Sequence, residues 1–261
     1  TSYIVNASTI TGMPYASTAD PWKCLFARVD LVKKFFPNED IPKATDEDLL
    51  SNPSKDQVIA KDNEKGISTA DVVAQAKDDR ALFYMGIGGC SDKVRTLTPG
   101  DAITGPLNGA SFVKWTNLHA DGTAQHHQKF SDTDFPMFRL AEIYLTRAEA
   151  KFRLGDVNKV GNDGKKALDD IQYVQDRAHR TALATTVDDQ TLIDEWCREF
   201  YLEGRRRSDL VRFGLFTGSK YLWSFKGGVS NGSGIESYYD IYPIPGNETK
   251  NNPNMTQNPK Y

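Results

Sequence analysis

The alternation of apolar and polar positions divides the 261-residue chain into three stretches. Residues 136–213 carry the strongest pattern. In "FRLAEIYLTRAEAKFRLGD", Leu140, Ile143, Tyr144, Arg147, Ala148 and Ala150 recur at helical spacing, and Gly155 supplies a C-terminal stop. The pattern predicts further helices over 158–178 and 188–203, and a short one ending at Phe213. Residues 1–135 are less periodic. "WKCLFARVDLVKKFF" places Leu25, Val29, Val32 and Phe36 on one helical face, predicting a helix over 22–36. "STADVVAQAKDDR" reads as a short helix opened by Ser68 or Thr69. "ALFYMGIGGC" and "SFVKWTNL" read as strands around a Gly- and Pro-rich loop. Residues 214–261 return to loops. The expected fold is mainly α. A helical repeat scaffold spans 136–213, a loop-rich ligand-side region with short helices and a few short strands spans 1–135, and a C-terminal segment over 214–261 packs on the helices.

"AEAKFRLGDVNKVGNDGKKAL" has the outline of a helix–turn–helix unit. Ala148, Gly155, Asp156 and Ala167 stand where a tetratricopeptide repeat places its small residues and turn, while Val160 and Gly164 depart from that pattern. One such repeat cannot bury its own apolar face. Partner helices must come from elsewhere in the chain or from a segment preceding it.

The net charge of −3 removes the electrostatic case for nucleic acid, since a binding domain would be basic. There is no run of about 18 apolar residues, so no membrane-spanning helix is expected. The start, "TSYIVNASTITGMPY", lacks Met and the features of a signal peptide, and reads as the beginning of a fragment. Cys24, Cys90 and Cys197 are far apart with no CxxC spacing, and Cys197 reads as a buried thiol on an apolar helix face.

"EWCREFYLEGRRRSDLVRFG", residues 195–214, concentrates charge among aromatics. On a helix, Ile193, Trp196, Cys197 and Phe200 share a face, with Glu203 at its edge and Glu199 one step out. A carboxylate so placed is costly to bury unless paired. Arg206 and Arg207 follow Glu203 by three and four positions, and Arg212 follows Asp209 by three, so ion pairs are expected. Glu199 and Glu203 stand about 6 Å apart at Cβ, near the separation a retaining glycosidase needs. Neighbouring arginines would keep both ionised, which argues for structure over catalysis. No other residues suggest an enzyme. "GIGGC" lacks phosphate-loop spacing and reads as a bulge or turn, and His119, His126 and His127 lack zinc spacing and read as a solvated loop. No cofactor and no metal is expected.

"FPMFRLAEIYLTRAEAKFRLGD", "EFYLEGRRRSDLVRFG" and "YDIYPIPGNETKNNPNMTQNPKY" resemble, in order and spacing, three signatures of the SusD/RagB family. "DDRALFY" and the Lys114–Trp115 pair resemble weaker features of it. The resemblance covers most of the chain and corresponds to the C-terminal half of a family member. It implies a tetratricopeptide-like fold and an outer-membrane, surface-facing lipoprotein, its lipid-bearing N-terminus absent here. It also implies that the protein is not an enzyme but captures a glycan beside a TonB-dependent transporter of the SusC type. "YLWSFKGG" before the closing motif is similar to the starch-binding branch, favouring starch or malto-oligosaccharide. A peptide-binding relative and a glycoside hydrolase are the alternatives.

Sugar binding requires flat aromatic faces against pyranose C–H groups, with polar side chains for the hydroxyls. Trp22, after Pro21 in a loop, fits best, and the family resemblance implies ligand-contacting aromatics in this part of the chain. Tyr15 and Tyr3 are weaker candidates. Trp223, alternating with Phe225 in a hairpin-like segment, is the remaining one.

Overall fold

A computed structural model describes residues 26–36, 69–84, 110–115 and 134–261, with the single positions 41, 119, 123 and 126. The fold is mainly helical, with one short sheet. In chain order the elements are β1 (Phe26–Ala27), α1 (Val29–Val32) running into a 3-10 turn at Lys33–Phe35, α2 (Thr69–Ala76), β2 (Phe83–Tyr84) and β3 (Ala110–Phe112). There follow α3 (Leu140–Arg153), α4 (Ala167–Arg177), α5 (Asp189–Phe200), α6 (Arg206–Arg212), 3-10 turns at Lys226–Gly228 and Ser237–Asp240, and α7 (Gly246–Asn251).

Local chemistry fixes the helix ends. Asp188 caps α5, accepting a hydrogen bond from the Thr191 N–H at 2.7 Å. Asp169, in the first turn of α4, reaches back to the Lys166 N–H at 2.7 Å. Helix α3 closes on Gly155, whose φ of 74° a side chain would resist, and the Asp156 N–H returns to the Lys151 carbonyl at 2.8 Å. Helix α4 begins nine residues later than the predicted 158–178. Gly161 and Gly164 fold the intervening segment into a turn, with the Gly161 N–H bonded to the Lys165 carbonyl at 2.9 Å. The predicted helix over 22–36 is also shorter. Described from Phe26, the chain is first a strand, because Phe26 and Ala27 pair with Ser111 and Ala110 of β3.

Two apolar clusters hold these elements. One joins α3, α4 and α5 through Leu145, Ala148, Ile171, Val174, Leu192, Trp196 and Phe200. The other gathers Val32, Phe35, Val72, Phe83 and Phe112 around Tyr201. β3 is the central strand of the antiparallel sheet, and Phe83 faces Phe112 across it. Phe200 and Tyr201, adjacent in sequence, belong to different clusters, so the end of α5 is the seam between them. Tyr201 stacks on Phe83 and Phe112 at 5.5 and 5.9 Å, and its hydroxyl donates to the Arg80 carbonyl at 2.9 Å.

Candidate functional site

The charged stretch lies along that seam. Ile193, Trp196, Cys197 and Phe200 are buried, as the helical phase predicts. Glu195, whose side chain is fully buried, accepts from Arg80 at 2.6 Å and from Gln175 and Arg198 at 2.7 Å each. Arg80 also donates to Glu199 at 2.9 Å and grips both carboxylate oxygens of Asp78 at 2.9 Å. Arg180 reaches Asp78 at 3.0 Å. Glu199 further accepts from Arg177 at 2.7 Å and from Arg139.

The Glu203 side chain is only 5% exposed and is paired with an arginine, as expected, but the partners come from elsewhere in the chain. They are Arg139 at 2.8 Å and Lys114 at 2.6 Å. Arg206 and Arg207 are not available, because the backbone leaves the helix after Phe200. Leu202 and Gly204 both take positive φ, 62° and 76°. Arg206 instead bonds the Ile193 carbonyl and the Tyr221 hydroxyl, both at 2.8 Å, and Arg207 bonds the Tyr239 carbonyl at 2.6 Å. Arg212 pairs with Asp209 at 2.9 Å as predicted, and also with Glu149, which accepts the Trp196 indole N–H at 3.0 Å.

These contacts bear on the protonation of Glu195, Glu199 and Lys114. Burial pushes the Glu195 carboxyl up, but Arg198, Arg80 and the Gln175 bond outweigh it and hold the group at about 2. Glu199 is likewise lowered against its own burial, chiefly by Arg80 and Arg139. Lys114 is pushed below its ordinary value by burial, in spite of Glu203. Ionised carboxylates of this kind accept hydrogen bonds and have no proton to donate. Burial raises the Cys197 thiol, which makes it a poor nucleophile.

Beside the seam lies an open cavity of about 440 Å³, walled by Trp196, Tyr201, Phe216, Tyr221 and Trp223 with Arg28 at its edge. Trp223 is half-buried, its ring 6.0 Å from Phe216 and 6.3 Å from Tyr221. The buried Lys226 ammonium lies 4.6 Å from the same ring and donates to the Tyr221 carbonyl at 2.7 Å. The strand-like alternation of Trp223 with Phe225 is broken. Phe225 has a φ of 68° and opens a 3-10 turn, with its ring below the Arg28 guanidinium. Trp22, Tyr15 and Tyr3 lie outside the described residues, as do Cys24, Cys90, His127 and the "GIGGC" stretch, so of the four candidates only Trp223 has described surroundings. Among the described residues, no group of three or more His, Cys, Asp or Glu is placed to hold a metal, and no helix is long and apolar enough to cross a membrane.

Sequence reasoning missed Arg80, Lys114 and Arg139 as partners of the seam. The available signal was their setting, a lone cation beside an apolar stretch in "DDRALFY", "FVKW" and "FRLAE".

Comparison with known proteins gives a consistent result. The model of the SusD family matches residues 8–261. The starch-binding protein SusD of Bacteroides thetaiotaomicron is 48% identical over 264 residues, an alignment that takes in 100% of this chain and 46% of that protein. The chain thus spans about half the length of this curated relative. A crystal structure of a SusD-like protein from Bacteroides fragilis superposes on 99% of this chain and 51% of its own, with a TM-score of 0.57 and 19% identity, a likeness of fold. A SusD superfamily protein from the same species covers 71% of this chain and 38% of its own, at a TM-score of 0.45 and 22% identity.

Proposed function

Because the chain belongs to the SusD family, we propose that it is part of a surface protein that captures a glycan, with α-linked glucose polymers of the starch type as its ligand. The observation that carries this reading is the identity of 48%, sustained over the whole chain, to a protein named for starch binding. The ionic seam and the two clusters serve as scaffold, and the ligand is met by aromatic side chains outside the seam. Trp22 is the principal platform, with Tyr15 and Tyr3 as weaker contributors and Trp223 as a secondary wall. The captured glycan passes to a TonB-dependent transporter of the SusC type, and a lipid anchor holds the protein at the outer membrane.

The protein binds without cleaving. What supports this is the state of its acids. Glycoside hydrolysis needs one carboxyl group that keeps a proton near neutral pH, whereas Glu195 and Glu199 are both held below their ordinary range. The test is retention of the intact protein on gels carrying amylopectin, xylan, mannan or an unrelated peptide, with the eluate assayed for sugar release. Retention on amylopectin with no product above a buffer blank is expected. Retention on the peptide alone, or product release abolished by changing one Asp or Glu, would overturn the reading.

A further inference from the structure

The C-terminal segment carries a feature that neither the seam nor Trp22 explains. Tyr242, Tyr239 and Tyr261 are 68%, 42% and 40% exposed, yet the backbone that bears them is tightly held. Arg207 donates to the Tyr239 carbonyl at 2.6 Å, and Asn258 donates to the Tyr242 carbonyl at 2.7 Å. Gln257 bonds both the N–H and the carbonyl of Ile244 at 2.8 Å. The Tyr261 hydroxyl folds back to the Ile241 carbonyl at 2.8 Å.

The rings are fixed as well as the backbone. Tyr239 stacks on Tyr238 at 4.3 Å, and Tyr261 meets both edge-on, at 5.0 Å from Tyr238 and 6.3 Å from Tyr239. The Arg207 guanidinium covers one face of Tyr242 at 3.8 Å and leaves most of the ring open to solvent.

We propose that Tyr239, Tyr242 and Tyr261 form a second aromatic platform, which stacks on pyranose rings of a bound polysaccharide. Rings already immobilised lose little further entropy on binding, which favours their use as a ligand surface. Their chemistry fits a sugar better than a protein. Each ring bears a hydroxyl, and the exposed side chains of Glu236 and Lys260 lie beside Tyr238 and Tyr261, where they can meet sugar hydroxyls. Another exposed apolar stretch among the described residues contrasts with it. Phe135, Met137, Phe138, Leu140 and Ile143 present no polar group, a surface suited to another helix rather than to a hydrated glycan.

The proposal rests on the glycan-binding reading above and adds a site to it. A second platform raises the retention of a long polymer that spans both sites, while a short oligosaccharide engages only the first. The experiment compares the intact protein with Tyr242→Ala, Tyr239→Ala and Tyr242→Trp, by retention on an amylopectin gel and by calorimetry with maltoheptaose. Each alanine variant is expected to lose at least about threefold in polymer retention, the loss of one stacked ring, with maltoheptaose affinity unchanged within about twofold. Tyr242→Trp is expected to retain the polymer as the parent does. Two results overturn the platform alone while the parent still binds: full polymer retention by both alanine variants, or a fall of more than a few degrees in melting temperature, which would make the rings internal packing. A parent that binds neither polymer nor maltoheptaose removes the underlying glycan reading and the platform together.

Discussion

Glu195→Ala is expected to lower stability by about 3–5 kcal/mol, the usual cost of leaving buried charges without their partner. Three groups, Arg80, Gln175 and Arg198, converge on this carboxylate within 2.7 Å, in a place that water does not reach. Arg80 keeps Asp78 and Glu199, but among the described residues Arg198 retains the Lys34 carbonyl at 3.2 Å alone. The melting temperature should fall by about 10 °C, taking about 2–4 °C per kcal/mol for a chain of this size. A fall of less than about 3 °C in calorimetry or circular dichroism would show that the seam does not hold the two clusters together.

Acid should act on the same group. The folded carboxyl sits at about 2, below the ordinary 4.5, so folding favours the ionised form. Its contribution is therefore fully present above about pH 5 and is lost as the pH falls toward 2. Glu199 and Glu149, also lowered, add to the loss in the same direction. The parent should lose stability steeply on acidification below pH 5, and Glu195→Ala should show a shallower dependence.

Trp22→Ala is the matching prediction for function, and it should leave the fold alone. A platform ring contributes about 1–3 kcal/mol through buried area, and 1.4 kcal/mol corresponds to a factor of ten in affinity. Retention of the intact protein on amylopectin should fall about tenfold or more, with the melting temperature unchanged within a few degrees. An unfolded variant would place Trp22 in the core. A folded variant with parental binding would move the platform to Trp223 or to another part of the protein.

The sequence foretold some features and not others, for physical reasons. The face of α5 was legible because helical periodicity is a local property, and Trp196 and Phe200 fell on the buried side as read. The pairing of Arg212 with Asp209 was legible for the same reason, since they stand three positions apart on one helix. The stripe of α3 was legible only in part: Ala148 is buried, but the helix packs through Ala141 and Leu145, and Leu140 and Ile143 are exposed. The partners of Glu203 were not. Positive φ at Leu202 and Gly204 turns the chain, and no periodicity reports such a turn. Arg139 and Lys114 then arrive from 64 and 89 positions away, a match set by tertiary packing alone. The start of α4 was misread because "VNKVGNDGKK" continues an apolar spacing that two glycines interrupt. At the candidate site, residue chemistry singled out Trp223, but its position in a cavity wall depends on a left-handed turn at Phe225.

The span of the ionic seam also has a kinetic meaning. Its pairs join residues as far apart as 115 positions for Arg80 with Glu195 and 160 for Lys34 with Asp194. Closing such loops costs entropy before any contact rewards it, so a chain of mostly local helices acquires the slow assembly of a non-local topology. The hairpin of α3 and α4, whose helices are neighbours in sequence, is expected to form first, and Tyr201 should meet Phe83 and Phe112 late. In refolding, helical ellipticity should recover before tyrosine fluorescence, and coincident recovery would argue against this order. Contacts formed after the rate-limiting step govern how fast the native state opens rather than how fast it forms. The seam then serves as a latch, setting how long the folded scaffold persists.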